Sequence, residues 1–185
     1  MSPPRPGKRR VAFLAHCLLN QNAKVDEGAK TPAMWKPVIE LLRGHGYELR
    51  QMPCPELAYG GARRFWAVRE QLDTTLYRRH CRRLVKLVVA VMEPHLRAGD
   101  DVVLIGVDSS PSLGVDFSSS APHWSGRPDA GDDYSLARRN GVYVEELRAE
   151  LAERGLPEPR ATGIRHWFPD YDPEEEQRRI EALLR

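Results

Sequence analysis

A chain of 185 residues is long enough for one domain with a continuous core and too short for two of ordinary size. Its 41% hydrophobic and 29% charged composition is ordinary for a globular protein, and no apolar run approaches the roughly 20 residues of a membrane span, so a soluble protein is expected. The net charge of +2 comes from nearly balanced totals and argues neither for nor against a nucleic-acid partner.

Cys17, Cys54 and Cys81 are an odd, widely spaced set, which is a poor disulfide framework and suits a reducing, cytoplasmic setting. The basic start over residues 1–9 reads as a mobile tail, and 10–185 as a single α/β domain. Val11 to Ala15 is a short continuous apolar run, as expected of a strand buried on both faces of a parallel sheet. It ends at His16-Cys17. Thr31-Pro32 reads as a cap and first helical position, with Met34, Val38, Leu41 and Leu42 on one face and Gly44 and Gly46 as stops. Tyr47 to Met52 alternates as a second strand, broken into a loop by Pro53-Cys54-Pro55-Glu56. Residues 62–96 are helical in composition, as two helices or one broken one, with Leu72, Leu76, Leu84, Leu87, Val88, Val91 and Met92 among the apolar positions. Asp101 to Val107 is the clearest buried strand and opens into Asp108-Ser109-Ser110-Pro111-Ser112-Leu113-Gly114.

The stretch 116–133 is rich in Ser, Pro, Gly and Asp and reads as a surface loop or lid, with His123 and Trp124 as stacking candidates. Val144, Leu147 and Leu151 mark a further helix ended by Gly155. Ala161 to Trp167 reads as a fourth strand, with His166 and Trp167 at its end. Asp172-Pro173 with Glu175 starts a last helix that runs to Leu184.

Alternation of strands and helices predicts a Rossmann-like three-layer α/β/α domain with a central, mostly parallel sheet. In such sheets ligands bind outside the carboxyl ends of the strands, where strand order reverses. Cys17, Cys54 and the Ser110 turn all follow strands and should therefore share one site. Thiols gathered there suit metal or cluster binding, a reactive thiol, or inert burial, and the spacing alone leaves these three open.

His16-Cys17-Leu18-Leu19-Asn20, Cys54-Pro55-Glu56 with Gly60-Gly61, and Gly106 to Gly114 resemble, in order and placement, the thiouracil desulfidase (TudS-like) family. Gly141-Val142-Tyr143-Val144-Glu145-Glu146-Leu147 extends the likeness less specifically. The resemblance implies a 4Fe-4S cluster held by three cysteines, with an open iron taking the sulfur of a thiocarbonyl base while water replaces it and hydrosulfide leaves. Cys17 and Cys54 match two ligands, and Glu56 and Ser110 match the proton-handling and substrate-orienting groups. Asn20, Ser109 and Ser112 are expected substrate contacts, and the partner a small thio-compound. The chain departs from the pattern at Leu113, which stands where the family has its third cysteine. His16, Cys81, Asp116 or an external thiol are the donors that remain. The alternative is a cluster-free pocket that binds a small molecule or uses a cysteine thiol for other chemistry. The Arg78 to Arg83 run is expected to lie in solvent, which makes nucleic acid an unlikely partner.

Overall fold

The computed structural model of the protein describes residues 7–25, 28–123 and 134–185. The expected tail therefore lies mostly outside the described residues, as does 124–133 of the expected lid, including Trp124. Arg9 already belongs to the fold, because its N–H donates to Asp100 and its carbonyl accepts from Asp101. Among the described residues no helix is long and apolar enough to cross a membrane.

Four parallel strands form the central sheet in the order β2-β1-β3-β6, with β1 at Arg10–Leu14, β2 at Glu48–Gln51, β3 at Asp101–Val107 and β6 at Arg160–Ile164. The two central strands carry the two continuous apolar runs: everything after Arg10 in β1 and after Asp101 in β3 is buried. That pattern requires cover on both faces. Helices α2 (Lys36–Gly44) and α7 (Pro173–Leu184) pack together, as do α5 (Thr75–Ala98) and α6 (Val142–Glu153), giving the three-layer α/β/α arrangement. Short helices α1 (His16–Leu19), α3 (Pro55–Gly60) and α4 (Arg69–Leu72) lie in the connections after β1 and β2.

Three local expectations change. Helix α2 begins at Lys36 with Pro37 in its first turn, not at Thr31-Pro32, whose Thr31 hydroxyl donates to the Met34 carbonyl in a bend instead. The buried face of α5 is Tyr77, Cys81, Val85, Val88, Val89 and Met92, while Leu76, Leu87 and Val91 are exposed. Apolar residues occupy two stripes of that helix, and only one meets the sheet and α6.

The third change concerns the Ser-rich stretch after β3, which is not wholly a surface loop. Its Ser118–Ser120 forms β4, pairing antiparallel with β5 (Ser135–Ala137), and Ser118 and Ser119 are buried. Backbone pairing explains how so polar a segment goes inside: Ser109 N–H donates to Phe117 and Ser119 N–H to Ser109.

Candidate functional site

Strand order reverses between β1 and β3, since the chain goes from β1 outward to β2 and then returns to build β3 and β6 on the other side. The loops after β1, β2 and β3 meet outside that point and line one cavity of about 90 Å³. Cys17, Cys54, Glu56, Ser109, Ser110 and Leu113 all face it. The expectation of a shared site rested on strand-end placement alone, and the topology is what brings these residues together.

The turn after β3 is held from within. Ser110 Oγ accepts from the N–H groups of Ser112 (3.3 Å) and Leu113 (3.0 Å), and Gly114 N–H returns to the Ser110 carbonyl. Ser109 adopts φ +79, a left-handed conformation that costs a β-carbon residue of order 1–3 kcal/mol and is maintained only where surroundings dictate it. Those surroundings are the two backbone bonds to the β4 segment and buried Asp108, whose Oδ1 accepts from Val115 and Asp116 (both 3.0 Å) and Phe117 (3.3 Å). A β-carbon at Gly163 of β6 would collide with that carboxylate. The first turn of α6 completes the frame: Val142 N–H donates to Pro111 and Tyr143 N–H to Ser112, so helix donors that would be orphaned are used by the turn. A β-carbon at Gly141 would strike the Ser112 backbone.

The loop after β2 supplies the facing groups. Cys54 caps α3, accepting from Leu57 N–H at 3.4 Å, and this sets Glu56 in the first turn. The Glu56 carboxylate accepts from Ser110 Oγ at 3.3 Å and, through the same Oε1, from Ser112 Oγ. Ser112 therefore meets Glu56 without lining the cavity. Arg64 Nε lies 3.9 Å from the other Glu56 oxygen, while its NH2 donates to Ala23 carbonyl at 2.7 Å and its NH1 to Gly61 carbonyl at 3.1 Å. Burial pushes the Cys17 thiol up from its ordinary value, and burial with the nearby Glu56 charge pushes Cys54 to about 12. Both thiols are protonated near neutral pH in the free protein.

Asn20 is not part of the cavity. Its Oδ1 accepts from Asn22 N–H at 3.1 Å, capping the 3-10 turn Gln21–Ala23, and its Nδ2 lies 3.4 Å from His16. His123 is exposed and does not line it either. Residues outside the expected set do: Lys24, Arg64, Trp66, Ser119 and Tyr134 join Trp167 on the walls. Lys24 Nζ donates to His166 Nε2 at 2.6 Å, and burial lowers the Lys24 pKa to about 8. No periodicity or motif marks Lys24 or Arg64, because both come from irregular segments.

A cluster with one open iron needs three protein ligands. Among the described residues no three His, Cys, Asp or Glu side chains gather as a metal would require. Cys17 and Cys54 provide two thiols, Leu113 on the same cavity is 3% exposed and offers no donor, and Cys81 is fully buried in the α5 face of the core. Asp116 turns toward Arg165 at 3.6 Å. This donor set does not fit a cluster held by three thiolates.

No protein-family model matches the chain. Among solved structures it resembles a 4Fe-4S-dependent thiouracil desulfidase, TudS, at 18% identity and a TM-score of 0.48, over 95% of this chain and 99% of that one. In sequence it is 30% identical over 107 residues to the uncharacterized protein MJ0003 of Methanocaldococcus jannaschii, which covers 58% of this chain and 69% of the relative. The chain belongs to the family of MJ0003.

Proposed function

We propose that the protein is a sulfur-handling enzyme that hydrolyses the thiocarbonyl group of a small compound such as a thiolated nucleobase, releasing hydrosulfide. The observation that carries this reading is the Glu56 carboxylate, which receives the hydroxyls of Ser110 and Ser112 and lines one cavity with Cys17 and Cys54. The order of the motifs around Cys17, Cys54-Pro55-Glu56 and the Ser110 turn supports the same substrate class.

In this reading Glu56 takes a proton from water as the water oxygen bonds to the thiocarbonyl carbon, a positioned carboxylate being an ordinary general base. Ser110 and Ser112 fix that carboxylate, and Ser109 and Ser119 offer hydroxyls to the ring edge. Trp66 and Trp167 are walls on which a planar ring stacks. Carbon–sulfur cleavage then leaves its electron pair on sulfur. No step passes through an iron-sulfur cluster, since two thiols do not meet its ligand requirement.

The test is hydrosulfide release from 2-thiouracil and 4-thiouracil by protein treated with an iron chelator. Release that persists supports hydrolysis by side chains, and absence of release from both compounds overturns it. Iron and sulfide analysis after anaerobic reconstitution runs beside it, on wild type and Leu113→Cys. The variant, with three thiols on one cavity, is expected to take up about four irons per chain and the wild type to stay free of iron. Wild-type protein holding about four irons would replace this reading with cluster chemistry.

A further inference from the structure

Hydrolysis of a thiocarbonyl leaves a negative charge on sulfur, and the Glu56 carboxylate, the base at the water side of the reaction, is the wrong group to receive it. Two cations line the cavity. Arg64 is committed, with its NH1 and NH2 donating to the Gly61 and Ala23 carbonyls and its Nε 3.9 Å from Glu56. Lys24 is not: among the described residues no carboxylate lies within ion-pairing distance of it, and its one hydrogen bond goes to a neutral ring, His166 Nε2, at 2.6 Å. A largely buried ammonium without a counter-ion is costly and persists where something else supplies the negative charge.

His166 is built to aim that ammonium without neutralising it. It is 7% exposed, and its ring lies 4.8 Å from the Trp35 ring and 5.6 Å from the Trp167 ring. Burial, together with the charges of Lys24 and Lys30, lowers its pKa to about 3. It therefore stays neutral near neutral pH, and in the tautomer protonated at Nδ1 its Nε2 accepts from Lys24. Trp167 lies beneath both cations, with Lys24 Nζ 5.1 Å and Lys30 Nζ 4.2 Å from its ring centroid, and it also lines the cavity. Among the described residues the charged and titratable groups around Lys24 are thus Cys17 from α1, Lys30 from the loop before α2, and His166 after β6, with Glu56 and Arg64 on the cavity wall.

Resting on the hydrolytic reading, we propose that Lys24 is the catalytic acid for the departing sulfur and that His166 is its positioning residue. Water adds to the thiocarbonyl carbon as Glu56 takes one of its protons, and the carbon–sulfur π pair moves to sulfur. Lys24 gives its proton to that sulfur. The carbon–sulfur bond then breaks with its electron pair leaving as hydrosulfide, the carbonyl forms, and the hydroxyl proton returns to the Lys24 amine. The balance is one thiocarbonyl and one water to one carbonyl, one hydrosulfide and one proton held on Glu56, with no oxidant or reductant involved.

Two measurements test this on the full chain. With 2-thiouracil, Lys24→Met is expected to lower kcat about 100-fold with KM changed by no more than about twofold, and Lys24→Arg, whose guanidinium keeps its proton, to stay close to Lys24→Met. Wild-type kcat should fall as pH rises through about 8, where Lys24 loses its proton, and Lys24→Arg should lack that limb. His166→Phe should lower kcat by about tenfold without abolishing the limb, as expected of a group that aims another. Wild-type kcat in Lys24→Met overturns the proposal. The second measurement needs no turnover: sodium hydrosulfide should raise the Tm of wild type and leave that of Lys24→Met unchanged, and an equal rise in both overturns the assignment. If wild type releases no hydrosulfide from 2-thiouracil or 4-thiouracil, the hydrolytic reading falls, and the hydrosulfide titration still decides Lys24.

Discussion

Two polar clusters in this fold are built on different terms. Where α4, α5 and α6 meet, guanidinium and carboxylate groups are matched: Arg69, 1% exposed, donates to Asn140 carbonyl (2.7 Å), Asp73 (3.1 Å) and Glu145 (2.8 Å). Arg78 reaches Asp73 at 2.5 Å and both Glu145 and Glu146 at 2.8 Å, and Arg82 adds a 3.1 Å pair to Glu146. In the cavity the matching stops. Lys24 leans on a neutral histidine, and among the described residues Ser119 Oγ and His166 Nδ1 are buried without hydrogen-bond partners, as Arg69 Nε is in the clamp. Leaving such a group unpaired costs about 1–3 kcal/mol. The first cluster is a clamp between helices, which takes Arg78 partly out of the solvent expected for it; the second leaves polar groups facing a cavity.

Glu56→Gln attacks the cavity where chemistry is proposed, so its effect should be the largest: hydrosulfide release falls about 100- to 10,000-fold, with Tm within a few degrees of wild type. A variant that keeps full activity removes Glu56 as the base. Arg69→Met attacks the clamp, and because Glu145 and Asp73 lose one partner but keep Arg78 it should destabilise by about 1–2 kcal/mol, read from the urea midpoint. Loss of activity there at unchanged stability would break the contrast.

The clamp also predicts an acid limb. Hydrogen bonding from Arg78 holds the Asp73 carboxyl below its usual range; Glu145, pushed up by burial, is pulled below it by Arg78 and Arg69. A depressed folded-state pKa adds stability that is complete above the unfolded value of about 4 and is lost as pH falls through the folded one. Pairs this accessible give about 1 kcal/mol or less each, so urea midpoints at pH 3 and pH 6 should converge in Arg69→Met relative to wild type. Ser119→Ala is the smallest expected change and the sharpest contrast. Removing a buried hydroxyl that has no hydrogen-bond partner among the described residues should leave stability unchanged or raise it by under about 1 kcal/mol, while weakening 2-thiouracil binding. A drop in Tm would show that Ser119 belongs to the packing.

The boundaries of β3 were legible to the residue, since an uninterrupted run from Asp101 to Val107 leaves a buried parallel strand as its best use. The parallel sheet followed from alternation, and with it the meeting of Cys17, Cys54, Glu56 and Ser110 at one edge. Other elements resisted the same reading. In α5 two apolar stripes compete, and the packing of α6 decides between them. Asn20 resembled a base-reading residue and is spent as a cap because its own backbone offers the nearer donor.

The sequence by itself thus determined the sheet, the loops that leave its carboxyl edge and the residue types carried there, all properties of local pattern and chain order. Only the tertiary structure decided that Leu113 is buried against the cavity, that Glu56 meets two serines, and that Lys24 faces His166 across 142 positions of sequence. Hydrophobic period is written in neighbouring residues, whereas the partner of a buried charge is set by where distant loops come to rest.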